Sequence, residues 1–139
     1  MKENRYDDQE FFDRYAEMAR SRKGLSGAGE WPVLKEMLPD LQGCRMLDLG
    51  CGYGWHCRYA VDQGASAVVG IDISERMLQK AKQLGDDPRI TYVRTAMEDV
   101  CFPPESFDVV ISSLAFHYVE DLQPLFRAVF RMLAPGGKF

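Results

Sequence analysis

The sequence predicts an α/β domain, a doubly wound parallel sheet with helices on its faces, and three observations carry that prediction. Short apolar runs without clean alternation recur: Met46, Leu47 and Leu49, then Ala65 to Ile71, then Phe107 to Ser112. Parallel strands covered on both faces read this way. Amphipathic segments lie between the runs, which is the alternation of βαβ units. Third, Gly50-Cys51-Gly52-Tyr53-Gly54 follows the first run at once. Glycines tolerate positive φ and let a ligand approach the backbone, so the turn is a candidate binding site.

At 139 residues the chain is one domain's worth, with an ordinary 46% apolar and 27% charged composition. A net charge of −4 and the lack of a basic cluster argue against a nucleic-acid partner. No run of 18 apolar residues and no signal-like apolar core after Met1 occur, so a cytoplasmic protein with no membrane partner is expected. Cys44, Cys51, Cys57 and Cys101 form no C-x-x-C pair, and no histidine stands at metal-ligand spacing beside them. Reduced structural thiols and no metal site are therefore expected.

The elements follow in order. Asp7 to Arg20 carries Phe11, Phe12, Tyr15, Met18 and Ala19 at helical spacing, which suits a helix packed on the sheet or a lid over the ligand. Ser21 to Gly29 is glycine-rich and basic, and a second helix runs from Glu30 to Leu38 with Pro32 in its first turn. Residues 1–42 thus form a helical cap and 43–139 the ligand-binding core. Within the core, Gly43 to Leu49 is the first strand and Trp55 to Gln63 the first crossover helix. Ala65 to Ile71 is the second strand, ending at Asp72. Ser74 caps the helix Glu75 to Leu84, whose Met77, Leu78 and Ala81 face the sheet, and Gly85 stops it. Ile90 to Val93 is a third strand, Thr95 to Pro104 a loop with a turn of helix, and Phe107 to Ser112 a fourth strand. Leu122 to Leu133 is the last helix, stopped by Ala134-Pro135-Gly136-Gly137, with Lys138-Phe139 as the start of another strand. A sheet truncated after its fourth strand and following helix would leave an apolar edge bare, and a homodimer could form across it.

Ligands of open parallel sheets bind at the carboxyl ends of the strands. Asp48 and the glycines end the first strand, Asp72 ends the second, and Ser112, Ser113 and His117 follow the fourth. A carboxylate at Asp72 can accept hydrogen bonds from both hydroxyls of a ribose. Dinucleotide turns use G-x-G-x-x-G, and counted from Gly50 and Gly52 the third glycine falls on Trp55. That residue argues against a pyrophosphate and hence against an NAD-type oxidoreductase.

Leu47-Asp48-Leu49-Gly50-Cys51-Gly52-Tyr53-Gly54, Val69-Gly70-Ile71-Asp72-Ile73-Ser74, Phe107-Asp108-Val109-Val110 and Leu133-Ala134-Pro135-Gly136-Gly137 stand in family order and spacing. Together they resemble the class I S-adenosylmethionine-dependent methyltransferases, of Rossmann-like fold, and within them the small-molecule branch that includes ubiquinone and menaquinone biosynthesis enzymes. The resemblance implies S-adenosylmethionine as cofactor, S-adenosylhomocysteine as product and a small-molecule acceptor. It implies that Gly50, Cys51, Gly52 and Gly54 pack under the methionine part, with Asp48 orienting its amino group directly or through water. Asp72 would hold the ribose and Ile73 lie on the adenine, with Met77 grouped among the cofactor contacts. Ala96, Met97 and Glu98 match the rim of the adenine; many relatives carry an acid where this chain has Ala96, so recognition there would pass to the Met97 backbone and Glu98. Ser112 would offer backbone near the methionine carboxylate, and Tyr15 or Arg20 would close on it. His117 is the candidate general base, and its alternative is a packed residue beside Phe116 and Tyr118. A cofactor-binding module without transfer activity is the competing functional reading.

Overall fold

The computed structural model describes residues 35–112 and 122–139, the side chains of Glu98 and Leu122 excepted. Five parallel strands form one sheet: β1 (Arg45–Leu49), β2 (Ala67–Asp72), β3 (Ile90–Arg94), β4 (Phe107–Ile111) and β5 (Leu133–Lys138). Their order is β3-β2-β1-β4-β5. The chain winds outward from β1 in one direction and then returns to the other side of it. The switch point therefore falls between β1 and β4, at the end of the strand that leads into the glycines. Three helices, α1 (Trp55–Asp62), α2 (Glu75–Leu84) and α3 (Leu122–Met132), and a 3-10 turn at Met97–Asp99 complete the described elements, apart from helical residues 35–37.

Side chains of β1 alternate between two cores, as the pleat requires. Met46 joins Cys57, Ala60 and Val61 of α1 and Leu78 of α2 on one face. Leu47 and Leu49 join Leu125, Val129 and Met132 of α3 on the other. Both leucines are wholly buried, and each contributes about 2 kcal/mol of apolar transfer. Asp48 lies between them in sequence and so points to the α1 side. At the far end of the same strands, Arg45 donates from its backbone N–H and its Nε to Asp108 Oδ2 at 2.9 and 3.1 Å, and from Nη2 to Oδ1 at 3.1 Å. That fork fixes the β1–β4 register away from the site; half-exposed and screened by solvent, it adds little stability.

The α2 bounds agree with the sequence reading, and the other elements shift by one or two residues at their ends. The larger correction is β5. Leu133 to Lys138 is a strand that starts directly after α3, where a helix stop and a bare sheet edge were expected. The Pro-Gly-Gly is absorbed by an irregular register: Phe107 pairs with Leu133, but Val109 pairs with Lys138. Proline and glycine are tolerated in a strand at such a bulge. The described sheet thus has five strands, and β5 covers the edge of β4. The helix expected over 7–20, the loop over 21–29 and residues 30–34 lie outside the described residues, as do Ser113, His117 and Tyr118. Tyr15 and Arg20 lie there too.

Candidate functional site

Gly50, Gly52 and Gly54 all have positive φ, at 73°, 54° and 77°. The chain thereby folds back on itself, and Gly54 N–H donates to the Cys51 carbonyl at 2.9 Å. Gly54 is the left-handed N-cap of α1, whose first-turn N–H groups begin where the turn ends. A Cβ at Gly54 would collide with the Tyr92 hydroxyl of β3 and lie 3.1 Å from Arg58 Nη1. Gly54→Ala is therefore expected to cost about 2 kcal/mol or more, from left-handed strain and the clash together. Urea denaturation measures the loss, and Tyr92→Phe in the same chain should recover part of it.

Two buried carboxylates stand at the ends of the strands beside the turn. Asp72 is 8% exposed at the end of β2. Its Oδ2 accepts from Gly52 N–H and its Oδ1 from Ser74 N–H, each at 2.9 Å. The acid read as a ribose ligand is thus also the staple between the glycine turn and the start of α2. Ser74 in turn caps α2, its Oγ accepting from Met77 N–H at 3.3 Å. Asp48 is 1% exposed, and Cys57 Sγ of α1 donates to its Oδ2 at 3.6 Å. Burial pushes the Asp48 carboxyl up to about 7, the Cys57 hydrogen bond opposes this, and the Asp72 charge adds to it. Among the described residues no metal-binding cluster of His, Cys, Asp and Glu forms.

The thiols of Cys51 and Cys57 share one side of β2. A Cβ on Gly70 would lie 2.9 Å from each sulfur, so the glycine in that strand makes room for them. Both cysteines are buried and free, and burial leads the causes that push the Cys51 thiol up. The Cys51 N–H donates to the Ile71 carbonyl at 2.8 Å, tying the turn to β2 a second time.

Other predicted residues gather around the same strand ends. Ser112 Oγ donates to the Leu49 carbonyl at 2.9 Å, so its hydroxyl closes the gap between β4 and the glycine turn, where only its backbone was expected to matter. Thr95 N–H donates to the Asp72 carbonyl at 3.1 Å and brings the Ala96–Met97 loop beside Asp72. Ala96 is buried and Met97 half-buried. Ile73 is half-buried, and its carbonyl accepts from Arg94 Nε at 3.1 Å. Met77 is 1% exposed, so its side chain packs inside the domain and lines no open surface. The sequence reading missed Arg58 and Tyr92, which pack behind Gly54; the only hint was their place one turn into α1 and midway along β3.

The model of the methyltransferase domain family matches residues 47–139, from β1 through β5. The chain belongs to that methyltransferase family. A crystal structure of an S-adenosylmethionine dependent methyltransferase from Mesorhizobium loti is 54% identical, superposes with a TM-score of 0.79, and is matched over 82% of this chain and 52% of that one. The malonyl-[acyl-carrier protein] O-methyltransferase of Enterobacter lignolyticus is 37% identical over 76% of this chain and 41% of its own length. A Haemonchus contortus N-methyltransferase, solved with phosphomonomethylethanolamine and S-adenosylhomocysteine, is 29% identical with a TM-score of 0.77 over 95% of this chain and 33% of that one. The chain spans about half the length of such relatives, 54% of a Haemophilus influenzae protein and 52% of the Mesorhizobium loti methyltransferase.

Proposed function

We propose that the protein carrying this chain transfers a methyl group from S-adenosylmethionine to a small-molecule acceptor, with S-adenosylhomocysteine as product. The single observation that carries the reading is the glycine turn held by Asp72 through the Gly52 N–H at 2.9 Å. Three positive-φ glycines leave the backbone bare beside a buried acid at the next strand end. The donor set suits a cationic nucleoside, since Asp48 and Asp72 complement an ammonium and a ribose diol. A pyrophosphate would meet two carboxylates instead. A carboxylate oxygen accepts more than one hydrogen bond, so Asp72 can hold the turn and the ribose together.

The bound cofactor supplies an activated methyl group on a sulfonium, a leaving group that needs no protonation. What the protein adds is alignment and dryness. Asp72 orients the ribose, Ile73 and the Ala96–Met97 loop flank the adenine with Glu98, and Asp48 under the turn favours the cofactor ammonium through its charge. Tyr15 or Arg20 closes on the methionine carboxylate beside Ser112, within a cap formed by residues 1–42. His117 after β4 accepts the acceptor's proton where the nucleophile is weakly acidic. A cytoplasmic setting is supported by the four free cysteines.

The test is turnover by the full-length protein. Incubated with S-adenosylmethionine and a size-filtered extract of small metabolites, it should release S-adenosylhomocysteine well above the extract-free rate. Equal rates with and without extract would contradict methyl transfer to a small molecule.

A further inference from the structure

Arg58 sits one turn into α1 and links the start of that helix to the end of α2. Its guanidinium carbon lies 4.4 Å from the ring centroid of Trp55, the first residue after that turn. Its Nη1 donates to the Ala81 carbonyl in the last turn of α2 at 3.2 Å. The same Nη1 lies 3.1 Å from where a Cβ of Gly54 would stand, and Arg58 Cδ lies 2.9 Å from the corresponding point of Gly85, the C-cap of α2. The side chain therefore threads between two bare glycines, one just before α1 and one just after α2.

These contacts have a direction. The carbonyl end of α2 carries partial negative charge, which favours a guanidinium there. An aromatic face stacked on that planar cation strengthens the hold, the more so the further both are desolvated. Asp72 grips the other end of the same construction, through Gly52 and Ser74. The turn is thus held at Gly52 by an anion, and the helix start that follows it is tied through Trp55 and Arg58 to the end of α2.

We propose that Arg58 is a positioning residue for the cofactor turn, acting through Trp55 and Gly54 to hold the backbone in its binding conformation. This rests on the S-adenosylmethionine reading above. Sequence neighbours of the glycine motif would not single it out, because an arginine on the first helical turn usually reads as a solvated charge.

A double-mutant cycle tests it, with S-adenosylhomocysteine as the titrant and calorimetry well below each variant's Tm. Arg58→Met keeps the packing against Gly85 and removes the cation and the Ala81 hydrogen bond. Trp55→Leu removes the stacked face. Each single change is expected to weaken binding about ten-fold, and the double variant to be no weaker than the worse single, because both act on one device. Arg58→Lys, with the charge but no planar face, should fall between wild type and Arg58→Met; it also replaces Arg58→Met in the cycle if that variant does not fold. A purely structural residue would lower Tm and leave the dissociation constant of the folded protein unchanged. Unchanged binding in the Arg58 variants, or losses that multiply in the double variant, overturns the proposal while leaving the cofactor reading intact. Failure of the wild-type chain to bind S-adenosylhomocysteine overturns both.

Discussion

Asp72→Ala is expected to loosen the fold and weaken the cofactor together. The substitution strips the acceptor from two backbone N–H groups, those of Gly52 and Ser74. Leaving a buried donor unsatisfied costs about 1–3 kcal/mol, so a loss of roughly 2–5 kcal/mol in unfolding free energy follows from the pair. The ribose hydroxyls lose a charge-assisted acceptor as well, worth about one to a few kcal/mol of binding. Asp72→Asn separates the two effects. Its side-chain oxygen can still take one of the N–H groups, so stability should fall by less, while ribose binding loses the charge in full. Denaturant titration reads the first quantity and calorimetry with S-adenosylhomocysteine the second. A folded Asp72→Asn variant that binds as tightly as wild type would show that the ribose lies elsewhere.

The second large effect belongs to Asp48 and is a dependence on pH. Its carboxyl titrates near about 7 in the folded chain against an ordinary value of 3.8, chiefly because burial disfavours the charge. Between those two values the folded protein keeps a proton that the unfolded chain has released. Stability must then fall as pH rises through that window and level off above about 7. A shift of this size is worth about 4 kcal/mol when complete. Asp48→Asn removes the slope, so at pH 8 the variant should be more stable than wild type, and at pH 4 nearly equal to it. Cofactor affinity should run the other way in wild type. An ammonium is drawn to the ionised carboxylate, so binding strengthens as pH rises through about 7, and Asp48→Asn loses that gain. Urea midpoints at pH 5 and pH 8 decide the matter; identical pH profiles for wild type and variant would contradict a buried, protonating Asp48.

Much of the scaffold was legible because its signals are local. The helix Glu75–Leu84 carries its own cap in Ser74 and its own stop in Gly85, and its bounds agree with the structure. The Leu-Asp-Leu-Gly run announces a strand with both faces covered and an acid at its end. The switch-point rule puts the fourth strand beside the first, as the structure has it. The strand at Leu133–Lys138 was hidden because Pro-Gly-Gly is a strong stop signal, and only pairing with β4 through a bulge overrides it. Local sequence cannot report a long-range ladder.

The candidate site divides in the same way. Residue types tied to a strand end, Asp48, Asp72 and the glycines, were found by spacing. Double duties were not. That Asp72 staples the turn, that Cys57 donates to Asp48, and that Ser112 donates its hydroxyl to Leu49 are contacts between elements 9 to 63 residues apart. Arg58 and Tyr92 escaped for the same reason, since their importance lies in the empty Cβ position of Gly54. The helical spacing reads Met77 as facing the sheet, and at 1% exposed it is turned inward.

The most direct test of the account is which nucleotide the glycine turn accepts. Titrating this chain with S-adenosylmethionine, S-adenosylhomocysteine and NAD in a calorimeter should give saturable heat with the first two and none with NAD. Saturable heat with NAD, or none with either sulfur nucleoside, would contradict it.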